Sequence, residues 1–300
     1  MKRFPFVAVI GAAILIAAAV LVLERIPSPE TEREDRGGGR AGRRAAEKVD
    51  RAPAPVFPEK KRGEVRKIAI IIDDIGYDRQ AFRALAELPV PIAFAILPFT
   101  PHTVEAAGEL HAAGREILLH LPMEPHSYPA DDPGKGALFA GMPPEEIRRR
   151  LAAALAGVPR AAGINNHMGS RFMEDETAMA VVMEELARRG LFFVDSLTTP
   201  ASQGRRTAAK AGVPFAVRSA FIDHPPHDGA VFERLTHLPR RGQRGTAPLL
   251  LVGHPRPETV RALQAAQPLW HKQGTEVISV AAFLAETTGG ADAAGKESMQ

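Results

Sequence analysis

Three hundred residues suffice for one large domain or two average ones. An apolar fraction of 45%, 24% charged residues, and 26 each of glycine and proline exclude a wholly disordered, collagen-like or multi-span membrane chain. The absence of cysteine excludes a disulfide framework, cysteine-ligated zinc and thiol nucleophiles. The formal net charge of +3 is unevenly placed: Lys2 and Arg3 carry two positive charges, and residues 24–66 hold twelve Lys/Arg against nine Asp/Glu, which leaves residues 67–300 at −2. A slightly acidic folded region lacks the basic footprint of a nucleic-acid binder, so no such partner is expected.

The chain opens with an apolar run of twenty residues, Phe4 to Leu23, broken by one proline and one glycine. At about 1.5 Å per residue it is long enough for the roughly 30 Å hydrocarbon layer. Lys2 and Arg3 before it favour a cytoplasmic amino terminus. The run ends Val20-Leu-Val-Leu-Glu24 without a small-x-small cleavage site, so an uncleaved anchor over residues 1–23 is preferred to a cleaved signal. Either reading exports the rest, and the expected location is a bacterial inner membrane with the domain in the periplasm, or secretion if the segment is cleaved. Residues 24–66, with Arg36-Gly-Gly-Gly-Arg40 and Ala52-Pro-Ala-Pro-Val56, read as a flexible tether. Residues 287–300 read as a frayed tail.

Between them, residues 67–286 alternate short apolar runs with helix-periodic segments. Strands are predicted at Lys67–Asp73, Ile92–Leu97, Glu116–His120, Ala161–Asn165, Leu191–Asp195, Phe215–Val217, Pro248–Val252 and Glu276–Ser279. Helices are predicted at Arg79–Glu87, His102–Ala113, Pro143–Ala156, Asp175–Arg189, Gln203–Ala211, Ala230–Arg240 and Pro257–His271. Runs such as Ile68-Ala-Ile-Ile-Ile72 are apolar without alternation, as parallel strands buried on both faces require. The expected fold is α/β: a distorted (β/α) barrel of seven or eight mostly parallel strands. A doubly wound open sheet is disfavoured, because residues 67–286 contain no Gly-x-Gly-x-x-Gly turn.

The strand ends carry the chemistry. They read Asp73-Asp74, His120, Asn165-Asn166-His167, Asp195-Ser196 and Gly253-His254. Ligands of parallel α/β folds bind at the carboxyl ends of strands, so these groups are expected to share one mouth. Each alone has an ordinary explanation, an Asp as the cap of the next helix or a His as a satisfied polar group; their common placement does not. One carboxylate and two imidazoles with an open position suit Zn²⁺ or a similar divalent ion. A second carboxylate then takes a proton from water and a histidine protonates the leaving group, which describes metal-assisted hydrolysis of an ester or amide. Adjacent Asp73 and Asp74 would point to opposite faces of a regular strand, so both reach the mouth only if the backbone turns near Ile75-Gly76.

Five blocks then resemble the divergent polysaccharide deacetylases, a distant branch of the NodB-type carbohydrate esterases. They are Ile70-Ile-Ile-Asp-Asp-Ile-Gly-Tyr77, Ile117-Leu-Leu-His-Leu-Pro-Met123, Gly163-Ile-Asn-Asn-His-Met-Gly-Ser170, Phe193-Val-Asp-Ser196 and Val252-Gly-His-Pro-Arg-Pro257. The resemblance runs from about Lys67 to Leu284 and implies a seven-stranded distorted barrel that removes acetyl groups from a cell-envelope or extracellular polysaccharide. By that analogy Asp73 is the catalytic base, Asp74 and His120 are metal ligands, His254 is the acid and Asp195 is a supporting carboxylate. The second block departs from the family pattern: where two histidines four residues apart are usual, it reads His120-Leu-Pro-Met-Glu124. Glu124 and His167 both remain candidates for the third ligand, and His167 is preferred because its block also ends a strand.

Other features are weaker. Arg171 is read either as a substrate contact or as an ion-pair partner of Glu174 or Asp175, and His224 and His227 as loop residues. Residues 138–144 are read as a lid or a plain surface loop. Serine-esterase elbows, P-loops and His-Glu-x-x-His are absent. The leading expectation is a zinc-type polysaccharide deacetylase. Its rivals are a non-catalytic glycan-binding or scaffold domain and a glycosidase, which needs two carboxylates roughly 5–9.5 Å apart.

Overall fold

The computed structural model describes residues 65–224, 229–241 and 247–287. The strands are β1 (Arg66–Ile75), β2 (Ala93–Ile96), β3 (Glu116–Met123), β4 (Gly163–Met168), β5 (Phe192–Asp195), β6 (Phe215–Val217), β7 (Ala220–Phe221), β8 (Leu249–Gly253) and β9 (Thr275–Ile278). Interleaved helices are α1 (Arg79–Ala86), α2 (Thr103–Ala112), α3 (Pro144–Gly157), α4 (Glu176–Arg189), α5 (Gly204–Ala211), α6 (Ala230–Arg241) and α7 (Pro257–Gln273). All eight predicted strands are present. The sequence reading missed β7, too short to carry a pattern, the short 3-10 turn Phe172–Glu174, and the helical segment 280–287, which takes in Thr287 of the expected tail.

Every strand pair is parallel, in the order β6-β5-β4-β3-β2-β1-β8-β7, with β9 beside β1. The ends of that order, β6 and β7, are joined by Arg218 and Ser219 alone. Arg218 N donates to Asp195 O on one side at 2.9 Å, and Ser219 N donates to Leu250 O on the other at 2.7 Å. Two residues cannot span an open eight-strand sheet at about 4.8 Å per strand. The sheet therefore curls round, and its carboxyl ends gather at one mouth.

Burial follows the two-residue period of the strands. Ile68, Ile70, Ile72, Leu119, Phe193 and Leu251 pack outward into the helix layer with Phe82, Leu85, Leu110 and Met179. Ala69, Ile71, Ala93, Ala95, Leu118, Val194, Leu250 and Val252 form a separate cluster inside the curl. The small side chains on the inner face match the narrow interior of a tightly curled sheet. Asp78 starts α1 by accepting from Gln80 N and Ala81 N, and Asp175 starts α4 by accepting from Ala178 N. Gly190 and Gly274 close α4 and α7 with left-handed backbone, which a residue without a Cβ adopts without steric cost.

Gly76 fixes the turn after β1. Its φ is +133°, and a Cβ there would lie 2.1 Å from Thr100 Oγ1, which donates to the Gly76 carbonyl. Gly76→Ala is expected to cost about 2–4 kcal/mol through strained backbone and steric overlap. Thermal denaturation measures this; an unchanged midpoint would show that the turn tolerates a side chain.

One expectation is corrected here. Among the described residues no helix is long and apolar enough to cross a membrane, which does not bear out the inner-membrane location with a periplasmic domain. The Phe4–Leu23 run behind it, most of the 24–66 tether and residues 288–300 lie outside the described residues, as does His227.

Candidate metal centre

The inner face of the strands decides which polar residues meet. On β1, Ala69 and Ile71 face inward, and the same period carries Asp73 inward. Leu118 brings His120 with it on β3, Gly163 and Asn165 bring His167 on β4, and Val252 leads to His254 after β8. Asp74 has the wrong parity. Its φ of +57° and the register irregularity against β2 between Ile72 and Ile75 break the alternation. This local bulge turns the second carboxylate into the same mouth.

Three donor atoms converge there in a nearly equilateral triangle. Asp74 Oδ1 lies 3.2 Å from His120 Nε2 and 3.0 Å from His167 Nδ1, and the two ring nitrogens are 3.1 Å apart. Asp74 Oδ1 is buried, yet neither nitrogen aligns as a hydrogen-bond donor to it. Atoms that share one Zn²⁺ at bond lengths of about 2.0–2.2 Å sit roughly 3–3.5 Å from one another. One carboxylate oxygen and two imidazole nitrogens are also a suitable donor set for such an ion, so the residues fit a divalent metal.

Asn165 sets the protonation of this cluster. Its Nδ2 donates to Asp73 Oδ1 at 2.7 Å, so its Oδ1 faces His120 Nδ1 at 2.9 Å. An amide oxygen only accepts, hence Nδ1 of His120 carries a proton, and it is Nε2 that faces the triangle and offers a lone pair there once its own proton is lost. The register places His120 directly opposite Asn165, which is why a neighbouring strand supplies this partner.

Charge is dense here. Burial pushes the Asp73 carboxyl up, against the pull of His120 and His254. Burial also disfavours the Asp74 carboxylate, but contact with His120 and His167 outweighs it and holds that group well below the usual carboxylate range. For His120, burial opposes the proton, yet the charges of Asp73 and Asp74 push its pKa up to about 9.

His254 stands across the mouth, its Nε2 3.8 Å from Asp74 Oδ2. The sequence reading missed its partner, Asp223. That buried carboxylate lies 3.0 Å from His254 Nδ1 through Oδ2, and the same oxygen accepts the His254 backbone N–H at 2.8 Å. Burial acts against the imidazolium, but the hydrogen bond and charge of Asp223 raise His254 above its ordinary value. The charged histidine in turn lowers Asp223 despite its burial. The usable signal was Phe221-Ile-Asp223 beyond a two-residue strand, too short for a periodicity argument.

The other sequence candidates sit elsewhere. Asp195 belongs to the outer parity of β5, since Val194 faces inward, and it accepts from Ser202 Oγ at 2.6 Å and Leu197 N at 2.7 Å. It braces its own loop. Glu124 accepts from Ala140 N at 2.8 Å and pairs with Arg171 at 3.0 Å, so both its oxygens are engaged away from the triangle. Arg171 thus pairs with Glu124 instead of Glu174 or Asp175. Leu138, inside the 138–144 segment, is buried and exchanges backbone hydrogen bonds with Pro122 and Glu124 at the end of β3, so that segment is stitched to the sheet.

The fold and site together are a curled parallel α/β sheet with an Asp-Asp pair on its first strand and imidazoles around one mouth. The chain matches the family model of divergent polysaccharide deacetylases over residues 70–284 and belongs to that family. It is 39% identical over 201 residues to the uncharacterized protein YibQ of Escherichia coli (strain K12), covering 66% of this chain and 61% of that one. A second relative, from Haemophilus influenzae, is 36% identical over 202 residues, covering 66% of this chain and 70% of its own. The chain thus spans less than two thirds of the Escherichia coli relative. Among solved structures, the uncharacterized protein ATU2773 from Agrobacterium tumefaciens C58 shares the fold with a TM-score of 0.68 at 24% identity, covering 74% of this chain and 91% of that one.

Proposed function

We propose that this chain is a metal-dependent carbohydrate esterase or amidase that removes acetyl groups from a polysaccharide. The observation that carries the reading is the triangle of Asp74 Oδ1, His120 Nε2 and His167 Nδ1, with sides of 3.0–3.2 Å. These three residues would hold a divalent ion, zinc by donor type, which when bound supplies a Lewis acid for the acyl oxygen and lowers the pKa of water. Asp73 keeps Oδ1 on Asn165, leaving Oδ2, 3.8 Å from His120 Nε2, to accept a proton from water. Its raised pKa brings it nearer the working range of a general base. His254, with Nδ1 committed to Asp223, delivers a proton from Nε2 to the departing sugar oxygen or nitrogen.

Acetate release from N- and O-acetylated glycans tests this. The expected result is release that stops on chelation and returns with added Zn²⁺. No release from either substrate class, with metal bound, would favour a glycan-binding domain on the same fold.

A further inference from the structure

A cavity of about 210 Å³ opens beside the triangle, with Asp74 and His167 forming part of its wall. That is below the roughly 300–1,000 Å³ of sites for drug-sized ligands, and it suits one ring better than a stretch of chain. Its other walls mix apolar and polar groups and come from Tyr77 after β1, the Leu97-Pro98-Phe99-Thr100 turn after β2, Pro122 on β3, and residues 132–135 of the loop after β3. Tyr77 and Phe99 are 66% and 38% exposed, so both rings are accessible to a ligand in the cavity.

The turn holding Phe99 is fixed. Phe99 has φ +62°, costly for a bulky residue, and Thr103 locks the turn by donating to Leu97 O at 2.7 Å and accepting from Thr100 N at 2.9 Å. Over this ring lies Lys135 Nζ, 5.5 Å from the centroid. Lys135 is exposed and makes no ion pair among the described residues. The nearby acid Asp132 turns Oδ1 to its own loop, accepting from Gly134 N at 2.8 Å. The fixed aromatic ring at the cavity rim offers a flat apolar face, and the Lys135 ammonium above it is the one Lys or Arg group in a lining that also carries Asp74 and Asp132.

We propose that this cavity is a subsite for a single sugar ring bearing a carboxylate, with Phe99 and Tyr77 against the ring and Lys135 reading the acid. It rests on the deacetylase reading for its substrate class; the cavity size, the fixed aromatic ring and the exposed ammonium over it carry the rest. Phe99 and Lys135 are then specificity-determining residues, and the acylated sugar presented to the triangle belongs to an acidic polysaccharide.

Calorimetric titration decides between outcomes, using an N-acetylated hexosamine–hexuronate tetrasaccharide and its carboxyl-reduced counterpart. The native protein is expected to bind the acidic form about five- to tenfold more tightly, the range of a partly desolvated charge-assisted contact. Lys135→Gln should bring the affinity ratio close to one, and Lys135→Arg should largely preserve it. Equal affinity of the native protein for both sugars, no binding of either, or a preference that survives in Lys135→Gln would overturn the proposal. Binding and acetate release fail separately. Selective binding without release refutes the deacetylase reading alone, and release without selectivity refutes the subsite alone.

Discussion

His120→Ala is expected to abolish metal retention and to lower acetate release by at least about a thousandfold, the scale expected when the ion-holding group of a metal-assisted hydrolase is lost. His120 supplies one corner of the triangle and is buried, hydrogen-bonded and flanked by two carboxylates. Alanine leaves Asp73 and Asp74 facing each other with less compensating charge, which endangers folding as well as binding. His120→Asn serves as the companion variant, since its amide N–H can replace Nδ1 as donor to Asn165 and it loses less volume than alanine. Elemental analysis of both variants after gel filtration gives the result directly; full metal occupancy in either would refute the ligand assignment.

The same residue sets a pH dependence. His120 has a pKa of about 9 in the metal-free fold, above the ordinary histidine value of 6.5. A raised histidine pKa means that the imidazolium stabilises the metal-free protein fully below about pH 6.5, and that this contribution fades as pH rises through 9. A metal ion needs the neutral ring, so the proton competes with it. Metal affinity should therefore climb by up to about tenfold per pH unit between 6.5 and 9, and the metal-induced rise in melting temperature should grow over the same window.

Asp223→Asn should reduce kcat by about a hundredfold and move the basic limb of the pH–rate profile to lower pH. The direction follows from the two opposed influences on His254: burial disfavours its proton and Asp223 holds it on. With the carboxylate neutralised, burial prevails, and the acid form is lost at a lower pH. The Asn oxygen can still accept the His254 backbone N–H, so the local fold survives. A purely structural role would lower the rate at every pH without moving that limb. Such a profile would remove Asp223 from the proton path.

Much of this was legible in the residues. The eight strands and seven helices appear where apolar runs and helical periods place them, because each element buries its own face. Asp74, His120 and His167 were grouped because each follows a strand, and parallel strands end together. Strand parity and spatial context were not legible. Asp195 also ends a strand, but one residue out of phase, and so bonds to Ser202 instead of facing the mouth. Glu124 offered the right oxygen chemistry, yet Ala140 and Arg171 engage it, and those partners lie 16 and 47 residues away in the chain.

Taken alone, the sequence determined a parallel α/β protein with acidic and imidazole groups at its strand ends, since periodicity and order along the chain are local properties. Only the tertiary structure decided which of those groups share a point in space. The bulge that reverses Asp74, the amide of Asn165 that orients His120, and the Asp223 that holds His254 all depend on register between strands. Register comes from packing the whole curled sheet at once, and no single segment contains it.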